Sequence, residues 1–305
     1  MRLDRRGFSL VELLVATALA GIAGAVMTTT LSRQQRFFAS ASEVLDTRAQ
    51  IRDGAGVLVS DIRSAAVARF GMPVMQDSAI EMFVVVASSV ACSAPSGATI
   101  GLAPQQLAMG NTLTSILFLP DTGDLAMLYA AGDSVMPGAW ETGRLVSFTS
   151  RSLATSCPSS TGFTTAADAT AGTTGYVLTL AVPPGPGIRR GAPIVFIRRV
   201  RYSLYRSSDG YWYLGYRRCG VASGGCAAIQ PVSGPYRAYS ASGDSGLSFR
   251  YYSASGLPVS APSMAVARVD IVVRGRTSMA AGLNGDAKAA YSDSIVVSVA
   301  PRNHQ

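Results

Sequence analysis

From Leu13 to Ser32 the chain carries no charge, a run of 20 apolar, small and threonine side chains, and a different rhythm follows. Phe37, Ala41, Val44, Ile51, Ala55, Leu58, Ile62 and Ala65 recur at steps of three, four or seven, the spacing of one helix face. One long helix is predicted, its first half uniformly apolar and its second half amphipathic, ending near Phe70. Arg48 takes the skipped position in the stripe, and Gly54 and Gly56 weaken the helix locally. The first proline is Pro73, so nothing in the sequence forces an earlier break. The uncharged run would span about 30 Å as a helix, the thickness of a bilayer core.

Beyond residue 79 the pattern changes to short apolar runs separated by turn residues, which predict strands. These are Ile80–Ala87, Leu113–Leu119, Arg144–Thr149, Tyr176–Val182, Ile194–Tyr205, Tyr211–Tyr216, Leu247–Tyr252, Val266–Arg274 and Ile295–Val299. The clearest is a hairpin about Ser207-Ser208-Asp209-Gly210, with Val200, Tyr202 and Leu204 alternating against Arg199, Arg201 and Ser203. Val269, Ile271 and Val273 alternate similarly against Arg268, Asp270 and Arg274. Residues 150–175 and 220–245 are rich in Ser, Thr, Ala and Gly and read as long loops. A helix too long for one domain face, carrying one stripe, followed by strands alone, implies an α+β fold with the helix laid across an antiparallel sheet.

Composition narrows the function. The chain has 305 residues, 48% hydrophobic and 14% charged, which excludes a disordered or collagen-like protein. The single histidine is His304 and the single lysine Lys288, which removes His-ligated metal sites, His-based catalysis and a Walker-type phosphate loop. No GxSxG elbow occurs, and Asp121, Asp124 and Asp133 lack calcium-loop spacing and read as turn residues. The prolines around Gly185-Pro186-Gly187 forbid the helix start that a phosphate-binding loop needs.

The net charge of +8 is unevenly spread: residues 189–276 hold 13 Arg against Asp209, Asp244 and Asp270, a local +10. Within that segment Arg201, Arg206, Arg217 and Arg218 interleave with Tyr205, Tyr211, Trp212, Tyr213 and Tyr216. Such a patch could stack on and neutralise single-stranded DNA, or grip a surface glycan or another subunit; its plainer reading is a hairpin with one aromatic face in the core. Cys92, Cys157, Cys219 and Cys226 have neither zinc-like spacing nor acidic or histidine neighbours. An even count behind an export signal favours disulfides. Three pairings are open. Cys219–Cys226 is the natural first, because Gly220, Gly224 and Gly225 let six residues turn back, and Cys92–Cys157 follows by elimination.

Arg2, Arg5 and Arg6 before the apolar run place the N-terminus in the cytoplasm and everything beyond Arg33 outside. A signal-anchor fits this, as does a secretory signal cut near Ala16-Thr17-Ala18 or Ala23-Gly24-Ala25, although Glu12 interrupts the start of an h-region. A third reading accounts for Glu12. A basic leader ending in Gly7, then Phe8-Ser9-Leu10-Val11-Glu12 and 14 apolar, small or Thr residues to Val26, resembles the processing signature of type IV pilin-like proteins.

That resemblance implies cleavage between Gly7 and Phe8 by a prepilin peptidase, methylation of the new Phe8 amine, and a helix kept as the packing core of a filament. Glu12 would pair with the N-terminal amine of a neighbouring subunit. The chain would divide into a leader (1–7), a transmembrane half-helix (8–32), an amphipathic half-helix (33–70) and a periplasmic β-rich domain (71–305), anchored in the inner membrane. Many major pilins carry a proline in the membrane half of this helix; Thr28, Thr29 and Thr30 stand there instead. Leu58 and Asp61-Ile62-Arg63, Arg201-Tyr202, Phe249-Arg250-Tyr251-Tyr252 and Arg302-Asn303 look like PilW-type minor pilins and J-type pseudopilins of type II secretion, with length favouring the former. The implied partners are other pilins or pseudopilins. No enzymatic activity, cofactor or metal is implied.

Overall fold

The computed structural model describes residues 9–110, 112–132, 137–221, 224–280 and 290–302. Gly7, Phe8, Asp133, Lys288 and His304 lie outside the described residues. Helix α1 runs Leu10–Ser64, and a single turn, α2, covers Val67–Phe70. The strands are β1 (Val74–Met75), β2 (Ala79–Val90), β3 (Thr99–Leu102), β4 (Ser115–Ile116), β5 (Leu125–Ala130), β6 (Ala139–Ser152), β7 (Thr174–Leu180), β8 (Pro193–Arg206), β9 (Trp212–Cys219), β10 (Gln230–Tyr236), β11 (Leu247–Tyr252), β12 (Arg268–Ala280) and β13 (Ala290–Val299). Short helices α3 (Leu153–Ser156) and α4 (Ala166–Thr170) separate β6 from β7.

Every ladder among the described residues is antiparallel, and β8 is the hub. One edge of β8 pairs with β2, while the other is shared between β5 (Leu125–Leu128 against Ile194–Ile197) and β9 (Trp212–Cys219 against Arg199–Arg206). The sheet then runs β8-β9-β10-β12 one way and β8-β5-β6-β7-β3 the other. β12 carries β11 and β13 on its two edges.

Helix α1 lies across β10, β12 and β13 and buries Val44, Thr47, Ile51, Gly54, Ala55, Leu58 and Ile62. The buried stripe therefore begins at Val44, and Phe37 remains exposed beyond the sheet. Opposite it stand the inward residues of the C-terminal strands, Leu247, Phe249 and Tyr251 with Val269, Ile271 and Val273, one alternating set on one face. Arg48, at the skipped position, reaches β13, donating from Nε to Asp293 (2.9 Å) and from Nη2 to Tyr291 (2.9 Å).

Two glycines set the closest approach. A Cβ on Gly275 would stand 2.7 Å from Ile51 and Thr47, and one on Gly54 would stand 2.2 Å from Tyr236 Oη. That hydroxyl donates to the Gln50 carbonyl (2.9 Å) and shares a 2.5 Å hydrogen bond with Ser233 Oγ. Gly54→Ala gains about 1 kcal/mol of helix propensity but forces this docking apart, and a net loss of about 1–3 kcal/mol is expected from the urea midpoint. Tyr236→Phe in the same chain should recover part of the loss, because it removes the atom that Cβ strikes.

The helix ends earlier than its stripe suggests. Ala65 pairs with Val84 and the Ala66 amide donates to the Phe83 carbonyl (2.8 Å), so the free edge of β2 draws the backbone out of the helix. Residues 220–245 are not all loop: they include β10, whose Pro231, Gly234 and Pro235 read as turn residues. It is an irregular strand with two register shifts, fixed by its hydrogen bonds to Gln50 of α1. β5 was hidden by its helix-favouring composition, Leu-Ala-Met-Leu-Tyr-Ala. The span Leu113–Leu119 shortens to the two residues of β4, with Leu117, Phe118 and Leu119 exposed.

Candidate functional site

The first element of the site is the free half of α1. Its most apolar 18-residue window has a mean hydropathy of 2.1, and none of it is buried. Leu10, Val11, Leu13, Leu14, Leu19 and Ile22 all face outward. Polar groups in this half are met internally: Thr17 Oγ1 donates to the Leu13 carbonyl (3.0 Å), Thr29 to Ala25 (3.0 Å) and Thr30 to Val26 (2.8 Å). The surface left to neighbours is thus apolar and non-directional, suited to lipid or to other helices. Glu12 is the exception. It is exposed at the third helical position, where its Oε2 accepts from the Ser9 amide at 3.4 Å, close to the positive end of the helix.

The second element is the hairpin of β8 and β9. Its register sets Arg201 against Arg217, Val200 against Arg218, Tyr205 against Tyr213 and Arg206 against Trp212. Alternation therefore divides the aromatic–basic run between the two faces of the sheet. Tyr202 and Leu214 enter the core on the α1 side, with Tyr216 packed against it, and Arg206, Trp212 and Arg218 share their parity. Arg201, Arg217, Tyr205 and Tyr213 belong to the opposite face. The contiguous patch suggested by the sequence is two half-patches.

Arg218 is not a free cation. It and Arg198 converge on Asp124, which is only 2% exposed and sits where β5 and β9 part from β8. Asp124 accepts from Arg198 Nη2 (2.8 Å) and Nε (3.1 Å) and from Arg218 Nη2 (3.0 Å). Arg218 also pairs with Asp121, whose carboxyl its guanidinium holds below the usual range. The two aspartates do close a turn, the Asp124 amide donating to the Asp121 carbonyl (3.0 Å), and buried Asp124 is in addition the staple of the branched sheet.

On the other face, Glu81 is buried, and Arg199 donates to it from Nε (2.6 Å). Cys219 and Cys226, bonded to each other, lie beside that carboxylate. Both sulfurs are consumed by the disulfide, so the cluster has no thiolate to offer a metal. Cys92 and Cys157 are also bonded to each other, both fully buried with Ala103 and Leu153.

A groove of about 340 Å³ beside α1 is lined by Val57, Asp61, Phe118, Arg198, Tyr202 and Tyr216. Tyr202 Oη donates to Asp61 Oδ2 at 2.6 Å, and burial pushes the Asp61 carboxyl above its ordinary value. A carboxyl raised on folding favours the folded state when protonated, below about pH 4, and loses that contribution as pH rises through its folded pKa. Asp61→Asn keeps an acceptor for Tyr202 without the charge. Its melting temperature should exceed that of the parent at pH 7, with the difference vanishing near pH 3.5.

An apolar, membrane-competent helix whose second half docks on an antiparallel sheet is a pilin-like architecture. Residues 2–28 match the family model described as the prokaryotic N-terminal methylation motif, the motif of type IV pilin-like proteins. Proteins with this motif are prepilin peptidase substrates that assemble with other pilins, and their role is structural. Neither the curated proteins nor the solved structures contain a match to the chain.

Proposed function

We propose that this chain is a minor pilin, held in the inner membrane by the first half of α1 with its sheet domain in the periplasm, that joins the tip or priming complex of a type IV pilus. A minor pseudopilin of a type II secretion system would use the same N-terminal chemistry, and neighbouring pilus or secretion genes distinguish the two. The supporting observation is the methylation motif at the head of a helix whose apolar first half is unburied among the described residues. No catalytic role is assigned. Gly7 and Phe8 flank the cleavage site, Phe8 carries the methylated amine, and Glu12 is the assembly contact.

A carboxylate near the membrane edge costs on the order of 2–3 kcal/mol when unpaired, and a neighbour's N-terminal amine offsets that cost. Mass analysis of the mature chain should show a start at methylated Phe8; a start after Ala18, Ala20 or Ala25 overturns the reading. Glu12→Ala should be processed and remain in the membrane, since losing a charge eases insertion. Its recovery with partner pilins in sheared filaments should fall on the order of ten-fold or more, with Glu12→Asp intermediate and Leu13→Ala near the parent. Equal recovery of Glu12→Ala would reduce the acid to an interfacial residue.

A further inference from the structure

Beyond assembly, the sheet face turned away from α1 has a chemistry of its own. Residues alternating with the core positions of β11 and β12 all point there: Arg250 on β11, and Asp270, Arg274 and Arg276 on β12. Arg201 and Arg217 point the same way from β8 and β9. The carboxylates at this face are already engaged, Glu81 by Arg199, Asp270 by Arg268, and Asp209, at the hairpin tip, by the Tyr213 hydroxyl (2.7 Å). Arg201, Arg217, Arg250, Arg274 and Arg276 have no carboxylate partner among the described residues, and Arg250 and Arg276 are exposed.

Arg201 and Arg217 are directly opposed across the β8–β9 ladder, a like-charge pair, and the one carboxylate that faces Arg201 from β2, Glu81, is taken by Arg199. Arg217 Nε is buried with no hydrogen-bond partner, an orphan donor of the kind that normally has an explanation. Tyrosines lie between the arginines. The rings of Tyr205 and Tyr213 are 6.2 Å apart, and Tyr205 lies over Gly215, where a Cβ would stand 2.7 Å from its ring. Trp212, Tyr236 and Gly275 form one row across β9, β10 and β12, so Arg274 and Arg276 flank the row beside Tyr213. From Arg217 to Tyr213 is about 13 Å along the strand, and from Tyr213 to β12 about 10 Å across the sheet.

We propose that this face binds single-stranded nucleic acid along an arginine–tyrosine stripe running from Arg201 and Arg217, past Tyr205 and Tyr213, to Arg274 and Arg276. Guanidinium forks suit phosphodiester oxygens, and the interleaved rings give bases a surface to stack on. An acidic polysaccharide or an acidic protein segment would satisfy the arginines and leave the tyrosines without a role. The stripe turns once, about 13 Å along β9 and about 10 Å across the sheet, so its ends are about 16 Å apart, which suits the short end of single-strand sites, about four nucleotides.

The test uses the full chain in non-ionic detergent and fluorescence anisotropy with a labelled 20-mer of thymidylate, with heparin as the charge-only comparison. Binding at about 50 mM salt should weaken about fifty-fold at about 200 mM if four phosphates are neutralised. Arg201→Gln combined with Arg217→Gln should lose at least about ten-fold and flatten the log–log salt slope by about 1.4. Tyr213→Leu, and independently Tyr205→Leu, should weaken thymidylate several-fold and leave heparin unchanged. Arg151→Gln, on β6, should behave as the parent, and each variant's melting temperature verifies its fold. Absence of binding at about 50 mM salt, or binding indifferent to the Arg201 and Arg217 substitutions, overturns the proposal. So does equal sensitivity of heparin to the tyrosine changes. Recovery of the arginine variant in sheared filaments separates failure of this site from failure of assembly.

Discussion

Asp124→Ala is expected to destabilise the domain by about 3–5 kcal/mol, among the largest losses any single substitution here should produce. The reason is local and electrostatic. β8 pairs with β5 up to Ile197 and with β9 from Arg199 onward, so Arg198 stands at the fork and Arg218 beside it. Asp124 is the buried acceptor both guanidiniums share, and Arg198 also donates to the Leu119 carbonyl (2.8 Å). Alanine leaves two arginines partly buried without their common counter-charge, at the residue that leads into β5. Asp121→Ala removes a partner of Arg218 that is 62% exposed and should cost less than about 1 kcal/mol. Asp124→Asn, keeping the shape and one acceptor, should fall between. Urea midpoints for the three variants provide the check, and equal losses for Asp121→Ala and Asp124→Ala would refute the assignment.

The second large effect concerns the buried disulfide. Cys92 follows β2 and Cys157 follows α3, and their bond closes a loop of 65 residues. Restricting the unfolded chain over that length is worth about 4 kcal/mol, against about 2.5 kcal/mol for the seven-residue separation of Cys219 and Cys226. Cys92→Ala with Cys157→Ala should therefore lower the urea midpoint more than Cys219→Ala with Cys226→Ala. Local consequences should differ too. Loss of the longer bridge frees the end where β3, β7 and α3 meet, and proteolysis there should quicken. Loss of the shorter one loosens only the turn after β9.

Much of this architecture is visible in the order of side chains. Leu247–Tyr252 has the limits of β11, and β8, β9 and β12 follow from alternation between branched or aromatic residues and arginine. The helix stripe from Val44 to Ile62 follows from its spacing. What alternation cannot convey is partnership. Asp124 meets Arg198 across 74 residues and Arg218 across 94, and nothing near Asp124 distinguishes a staple from a turn. The division of the aromatic–basic run needs the pairing of Arg201 with Arg217, which sets Arg217 and Arg218 on opposite faces although they are adjacent in the chain. β10 escapes notice because its two prolines and glycine break the pattern and the helix supplies its fixing bonds.

The docking of α1 on the C-terminal strands also dictates a timetable. Arg48 and Asp293, which meet across that contact, are 245 residues apart. At about 5–20 residues per second, the amphipathic stripe waits roughly 10–50 s during synthesis before β12 and β13 exist to cover it. Such long-range closure makes folding slow relative to a chain with local contacts. Throughout that interval Ile51, Leu58 and Ile62 are bare, next to an apolar segment that belongs in a bilayer. The nascent protein is consequently most vulnerable along the second half of α1, and a chain halted before Arg268 keeps its helix but lacks the β12 and β13 surface that covers most of the stripe.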